Sequence, residues 1–426
     1  MSSPVPTASG DTTPDNTASR HYLEGAARTK LVVWMLITTT ALFSCYLAAG
    51  AVLLPAQVQN IDPALKEANL AIVTSISSFA TLFCQPIVGA LSDRTRSKLG
   101  RRAPWMLGGA FLGGIMLALL PVIGTNVALI AIMWVLAQVS LNGLQGPLSA
   151  LVSDRLAENY RGTASAFFGV GSTIGMTLGV VVAGLLINQI GLGYAIFGGG
   201  VIVATVLLVV FNQDRSSADM RPAPFSLVNL FKGFGTPFRS ADFTWAWLQR
   251  FVMFLGSMGI VNYMLYILQE YIGMSQAEAG GFMAIQQLVY AAASIIATFI
   301  AGRMSDRLGR RKIFVFIASG LFALGLVVLL LMPTPTGVLI YAVLGGMGFG
   351  AYMAVDVALV VDILPDPNDA AKDLGVINIA NNVPQMLAPI INVFLIGAFG
   401  YVGLFPWGIA LVLAASLLVI PIKKVR

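Results

Sequence analysis

The feature that most limits how this chain can fold is the spacing of its charges. No Asp, Glu, Lys or Arg occurs in 31–61, 68–92, 103–153, 162–213, 251–269, 279–302, 313–355 or 374–422. A helix needs about 20 apolar residues to cross a bilayer. The intervals therefore hold one, one, two and two spans, and then one, one, two and two again. Each double-length interval has a turn-forming centre: LPVIGTN at 120–126, NQIGLGY at 188–194, MPTPTG at 332–337 and GAFGYVG at 397–403. The pattern predicts an all-α polytopic membrane protein with twelve transmembrane helices in two pseudo-symmetric six-helix halves. Composition agrees: the 426 residues are 57% hydrophobic and only 10% charged, too little charge to cover a soluble protein of this size.

Of the 25 basic residues, all but Lys66 and Arg250 fall on the side of the spans that both termini share. Basic loops stay inside, so both termini are expected in the cytoplasm, with the chain multi-pass in the inner or plasma membrane. The expected organisation is a disordered cytoplasmic tail at 1–28, an N-terminal half at 29–212, a cytoplasmic linker at 213–241, a C-terminal half at 242–422 and a short tail at 423–426. The tail has no apolar run, so no cleaved signal peptide is expected. The net charge of +6 does not point to nucleic acid, because the basic residues lie in short loops between spans. His21, the only histidine, lies in the tail, which excludes histidine chemistry or a His-containing metal site in the bilayer. Cys45 and Cys84 read as small packing residues, with no disulfide. No G-x-x-x-x-G-K-[ST] stretch supports ATP-driven pumping. No nucleophile–base pair is recognisable, so neither an enzyme nor a cofactor is expected.

Two loops carry the same charged sequence. GALSDRTRSKLGRRAPW (89–105) places Asp93, Arg94, Arg101 and Arg102 between Gly89 and the next span, with Gly100 at the reversal. AGRMSDRLGRRKIFV (301–315) repeats it with Gly302, Asp306, Arg307, Gly309, Arg310 and Arg311. Each Asp stands at a helix end, where it can pair with a loop Arg or cap a neighbouring helix N-terminus, and each loop Gly allows the tight turn. The duplicated placement suggests a latch on the cytoplasmic face rather than a topology signal alone. At these loops the chain resembles the major facilitator superfamily, whose signature reads Gly-x-x-x-Asp-Arg-x-Gly-Arg-Arg. The first copy has a longer loop, which looks like the form found in sucrose transporters and the related glycoside–pentoside–hexuronide symporters. A second echo relates SALVSDRLAENYRG (149–162) to DVALVVDILPDPNDAAKDLG (356–375), aligning Asp154 with Asp362 and Arg161 roughly with Lys372.

Charge inside a membrane is expensive and is read as functional by default. Away from the loops there are two such residues, Arg250 in the seventh span and Asp356 in the tenth, roughly 12 and 9 Å from the cytoplasmic end at 1.5 Å per residue. The resemblance implies that spans 1, 4, 7 and 10 line a central cavity, so the two can face each other. They are either a static ion pair or the site where a proton couples to transport. Polar positions supply substrate candidates: Gln138, Asn142 and Gln145 on span 4, Asn262 and Tyr266 on span 7, Gln286 on span 8, and Asn378 and Asn382 on span 11. Such amides hydrogen-bond sugar hydroxyls, while Tyr46, Tyr263, Tyr266 and Tyr290 offer aromatic faces. Some will serve helix–helix contacts instead.

These readings converge on a monomeric secondary transporter, taking up a neutral sugar of the disaccharide or glycoside class with a proton by alternating access. The alternatives are a proton-driven exporter of sugars or amphipathic compounds, or a non-transporting sensor on the same fold. Sodium coupling would call for more than one acidic ligand near the cavity.

Overall fold

The computed structural model describes residues 22–218, 237–363 and 370–424, without side-chain detail at 361 and 370–375. Most of the expected tail (1–21, with His21), the centre of the linker (219–236), the Lys372 side chain and residues 425–426 lie outside the described residues.

Twelve helices follow in chain order, with no strand among the described residues. They are α1 (Gly25–Ile61), α2 (Lys66–Ser92), α3 (Ala103–Ile123), α4 (Val127–Arg155), α5 (Glu158–Leu185), α6 (Ile187–Phe211), α7 (Ala241–Tyr271), α8 (Gln276–Leu308) and α9 (Arg311–Leu331). The last three are α10 (Pro335–Ile363), α11 (Ala370–Phe399) and α12 (Tyr401–Leu417). The first eleven are long and apolar enough to cross a membrane. Turns bonded Leu418 to Ala414 and Ile422 to Val419 extend α12 toward the same length. The expected breaks within the long apolar intervals all occur: 124–126, the tight turn at 186–189, 332–334 and 400–403.

Local chemistry explains where helices begin and end. Asn126 accepts from the Leu129 amide at 3.0 Å and caps α4. Ser275 and Glu278 form a reciprocal capping box on α8. Gly309 ends α8 at φ +60°, and Gly100 turns the first charged loop at φ +85°, where a Cβ would strike Asp214. The α1 helix begins at Gly25, four residues inside the expected disordered tail. The reason is tethering: Leu23 donates its amide to Arg155, and the Arg28 guanidinium lies 4.0 Å above the Tyr160 ring.

The two halves pack by one plan. Helix pairs α1–α5, α1–α6, α2–α4, α3–α4 and α3–α6 in the first half recur as α7–α11, α7–α12, α8–α10, α9–α10 and α9–α12 in the second. Small residues make the close approaches. Gly171, Gly175 and Gly179 of α5 lie on the α1 backbone, where Thr40 and Ser44 hydroxyls donate to Gly171 and Gly175 carbonyls. Gly346 and Gly350 of α10 lie likewise on α8, with Thr298 donating to the Gly350 carbonyl at 3.0 Å.

Between the halves run two seams, α2 against α11 and α5 against α8. Every hydrogen bond that crosses between halves among the described residues lies toward the end of the bundle remote from the chain termini. Tyr266 donates to Pro55 O at 2.8 Å, Tyr263 to Glu67 O at 3.2 Å, Gln59 to Gln269 at 2.7 Å and Ser75 to Met386 O at 2.9 Å. Lys66 pairs with Glu270, and Tyr401 donates to the Glu67 carboxylate. Gly184 and Gly280 touch through their backbones at the same end. Within α1 and α7, π-helical turns at Ala48–Leu53 and Ile267–Tyr271 flank this closure. These contacts hold the bundle shut at its far end.

Candidate substrate and coupling site

The two buried charges meet. Arg250 lies nine residues into α7 and Asp356 seven before the end of α10, roughly 14 and 10 Å from the termini end, and Arg250 Nη1 lies 2.6 Å from Asp356 Oδ2. Asp356 is 1% exposed and the Arg250 side chain 8%. Each charge has further partners. Tyr352, one turn before Asp356 on α10, donates to its Oδ1 at 3.0 Å. Arg250 Nε donates to Asn381 Oδ1 of α11 at 2.6 Å, and the guanidinium lies 5.8 Å from the Phe254 ring centre. The pair thus joins α7, α10 and α11. Ion pairing and desolvation oppose one another here, and removal of either charge strands the other in an apolar setting.

The first half places neutral amides in its part of the membrane. Gln85 of α2 donates to Asn142 Oδ1 at 3.0 Å, and Tyr46 of α1 donates to Gln145 Oε1 at 3.1 Å. Asn142 also donates to the Gln138 carbonyl at 2.9 Å. Gln138, Asn142 and Gln145 are all half-buried on α4, and Ser149, one turn further on, is exposed. The amides retain unused donors and acceptors, so the surface can still bond a polar ligand.

Other expected substrate residues are distributed differently. Tyr266 is fully buried and spends its hydroxyl on Pro55 O, so it belongs to the far-end closure instead of an open binding surface. The π turn after it also shifts the helical phase, so that Gln269, three residues on, faces Gln59. Asn262 is half-buried, and Gln286 is 6% exposed; neither bonds a protein group among the described residues. On α11 it is Asn381 that reaches Arg250. Asn378 is exposed and accepts a long 3.5 Å contact from Asn381, while Asn382 is half-buried. The sequence reading missed Gln85 and Tyr352. Each had a signal: Gln85 is an amide beside an intramembrane proline, and Tyr352 precedes Asp356 by one helical turn.

The duplicated loops fold as internal clasps, one per half. Arg102 places Nη2 2.6 Å from Asp93, Nε 2.8 Å from Asp154 and Nη1 2.5 Å from Ser92, while Arg101 reaches Asp154 at 2.5 Å. Arg94 donates to Ala90 O at 2.7 Å. In the second half Arg311 takes Asp362 at 2.6 Å and Asp306 at 3.4 Å. Asp154 and Asp362 do the same work in the two halves, as their alignment implied. Neither Gly89 nor Gly302 is pressed against another helix here. The linker start is stitched to the first clasp: Ser217 donates to Thr95 O at 2.8 Å and accepts from the Ser97 amide at 3.0 Å.

Comparison with known proteins agrees with this architecture. A bacterial homologue of the human lysosomal transporter Spinster, solved in an inward-facing and unoccupied conformation, superposes with a TM-score of 0.72 over 93% of this chain and 96% of that one, at 14% identity. The Fujikurins efflux protein of Gibberella fujikuroi is 22% identical over 76% of this chain and 66% of its own length. The chain thus spans just under two thirds of that fungal relative. The Sucrose transport protein SUC3 of Arabidopsis thaliana is 31% identical over a shorter stretch, 33% of this chain and 28% of that protein. The family model described as Major Facilitator Superfamily matches residues 34–294 and 246–425. With the duplicated six-helix plan and the two clasps, that match makes the chain a member of the Major Facilitator Superfamily.

Proposed function

We propose that this transporter moves a neutral sugar of the disaccharide or glycoside class into the cell together with a proton, by alternating access. The observation that carries the reading is the buried Arg250–Asp356 pair. Arg250 is engaged on Asp356, Asn381 and Phe254, so among the described residues the deep membrane-spanning cation is already spoken for and does not invite an anionic substrate. The facing half offers Gln85, Asn142, Gln145 and Tyr46, whose donors and acceptors suit hydroxyl groups. The sucrose transport protein among the relatives supports the same substrate class.

The pair also supports proton coupling. A carboxylate beside a guanidinium stays ionised; parted from it in apolar surroundings, it takes a proton. Rocking of the halves would change how α7, α10 and α11 surround Asp356, and so tie the proton to the cycle. We read both termini as cytoplasmic, which makes the far-end closure the extracellular one and this state an inward-facing one. Asp356 would then release its proton to the cytoplasm from this state.

The efflux protein among the relatives favours a second reading, export of an amphipathic compound on a proton gradient. One experiment separates them. In proteoliposomes with an imposed pH gradient, labelled mono- and disaccharides are followed on both sides of the membrane. Accumulation on the alkaline side supports sugar symport. Sugar-independent proton flux with extrusion of amphipathic compounds supports export, and no gradient-driven movement of any sugar rules the symport reading out.

A further inference from the structure

The two clasps use their arginines differently. In the first, Arg101 and Arg102 both end on carboxylates, and the exposed Arg96 and Lys98 stand in the loop, off any helix face. In the second, only Arg311 does. Arg303, Arg307 and Arg310 are exposed, and none of the three has an ion-pair or hydrogen-bond partner among the described residues. Asp306, the carboxylate on the same turn, is held by Arg311.

Their placement gives this surplus a direction. Arg303 and Arg307 stand one turn apart on α8, and Arg310 follows just past the Gly309 reversal. The α10 helix covers the opposite face of α8, on the backbone at Tyr290 and Ser294 and at Thr298, in line with buried Ala301 and Ser305. The arginines therefore point away from the protein. The same outward face carries Ile296 (57% exposed), Phe299 (64%) and Ile300 (53%), with Met304 and Leu308 exposed beside the arginines. Along this face an apolar stripe suited to hydrocarbon runs directly into three unpaired guanidiniums at the helix end, the depth of lipid headgroups. Guanidinium matches phosphate with paired N–H donors.

We propose that Arg303, Arg307 and Arg310 form a binding site for the phosphate of an anionic phospholipid at the termini end of α8, a site that the first clasp lacks. The lipid's acyl chains lie along Ile296, Phe299 and Ile300, and its headgroup supplies the negative charge that protein carboxylates supply in the first half.

The test uses the full chain in bilayers, with a fluorophore on Met304→Cys; native Cys45 and Cys84 are buried. Quenching by brominated phosphatidylglycerol is compared with quenching by brominated phosphatidylcholine at equal mole fraction. The site predicts a preference of about tenfold for the anionic lipid, weakening as salt is raised. Arg303→Gln/Arg307→Gln brings the preference to within about twofold, and the charge-matched pair Arg96→Gln/Lys98→Gln on the first loop retains it. Equal quenching by the two lipids in the chain with its arginines intact overturns the proposal, and so does an equal loss in the Arg96/Lys98 control. If the α8 variant fails to insert, the measurement with all arginines present decides alone.

Discussion

The two halves share one helix plan but hold their charge at different depths. The first buries Arg102 at the termini end, its side chain 7% exposed among Asp93, Asp154 and Ser92, and shows only neutral amides deeper in. The second sinks Arg250 and Asp356 into the membrane and leaves its clasp in solvent, with Asp306 69% and Asp362 41% exposed. Duplication supplied one scaffold twice. The difference teaches how the halves diverge: the first is a braced wall carrying neutral polar groups, and the second holds a buried ion pair, the group proposed above to take up the proton.

The most disruptive way to probe this contrast is to break the deep pair. Arg250→Ala leaves Asp356 buried and unpaired, which costs about 3–5 kcal/mol. We expect a large fall in the thermal midpoint of the purified protein, with most of it recovered in Arg250→Ala/Asp356→Asn. A double variant as unstable as the sum of the singles would show that the two charges do not depend on each other.

The clasps give the next largest effect and sharpen the comparison. Arg102→Ala removes a buried cation from three partners and should cost about 2–4 kcal/mol. Arg311→Ala removes contacts to exposed carboxylates and should cost about 1 kcal/mol or less. Denaturation of the two variants side by side checks this, and equal losses would make the clasps equivalent.

Much of this fold is legible in the amino-acid sequence. Charge spacing locates the twelve spans and their breaks, because an uncompensated charge in hydrocarbon is too costly to be scattered at random. Matched depths, with the resemblance that places spans 7 and 10 on one cavity, are enough to let Arg250 face Asp356. Which amide does what is not legible. Asn378, Asn381 and Asn382 lie within two turns of α11, and only helix rotation decides that Asn381 meets Arg250. The π turn at Ile267–Tyr271 adds a residue to the helical repeat, so a stripe extrapolated through it loses phase, as Gln269 shows. Tyr266 departs for another reason. One sequence must serve both open and closed ends, and residue type alone does not say which contact is made in which state. The tail boundary shifts because tethers such as Leu23 to Arg155 are long-range.

Smaller effects are expected at the far-end closure. Glu270→Gln removes the carboxylate partner of buried Lys66, and Tyr266→Phe removes one interhelical hydrogen bond. At about 1 kcal/mol each, either should raise the population open at the far end roughly fivefold. Distances between spin labels across that end report it. Unchanged distance distributions in both variants would place the closing energy in the α2–α11 and α5–α8 seams alone.

The mildest changes belong to the neutral wall. Gln85→Ala or Asn142→Ala should weaken substrate binding roughly threefold to tenfold, about 0.5–1.5 kcal/mol, without altering the pH dependence of uptake. Calorimetry and uptake at several pH values test both parts. A changed pH profile would blur the division between the halves.

That division is tested most directly by Asp356→Asn in proteoliposomes, with uphill accumulation and downhill exchange measured on the same preparation. The substitution holds the residue neutral while keeping its size. If the second half carries the coupling group, Asp356→Asn loses accumulation driven by an imposed pH difference yet still exchanges substrate across the membrane. If it still concentrates substrate on that gradient, Asp356 is a structural partner of Arg250 and the proton crosses elsewhere.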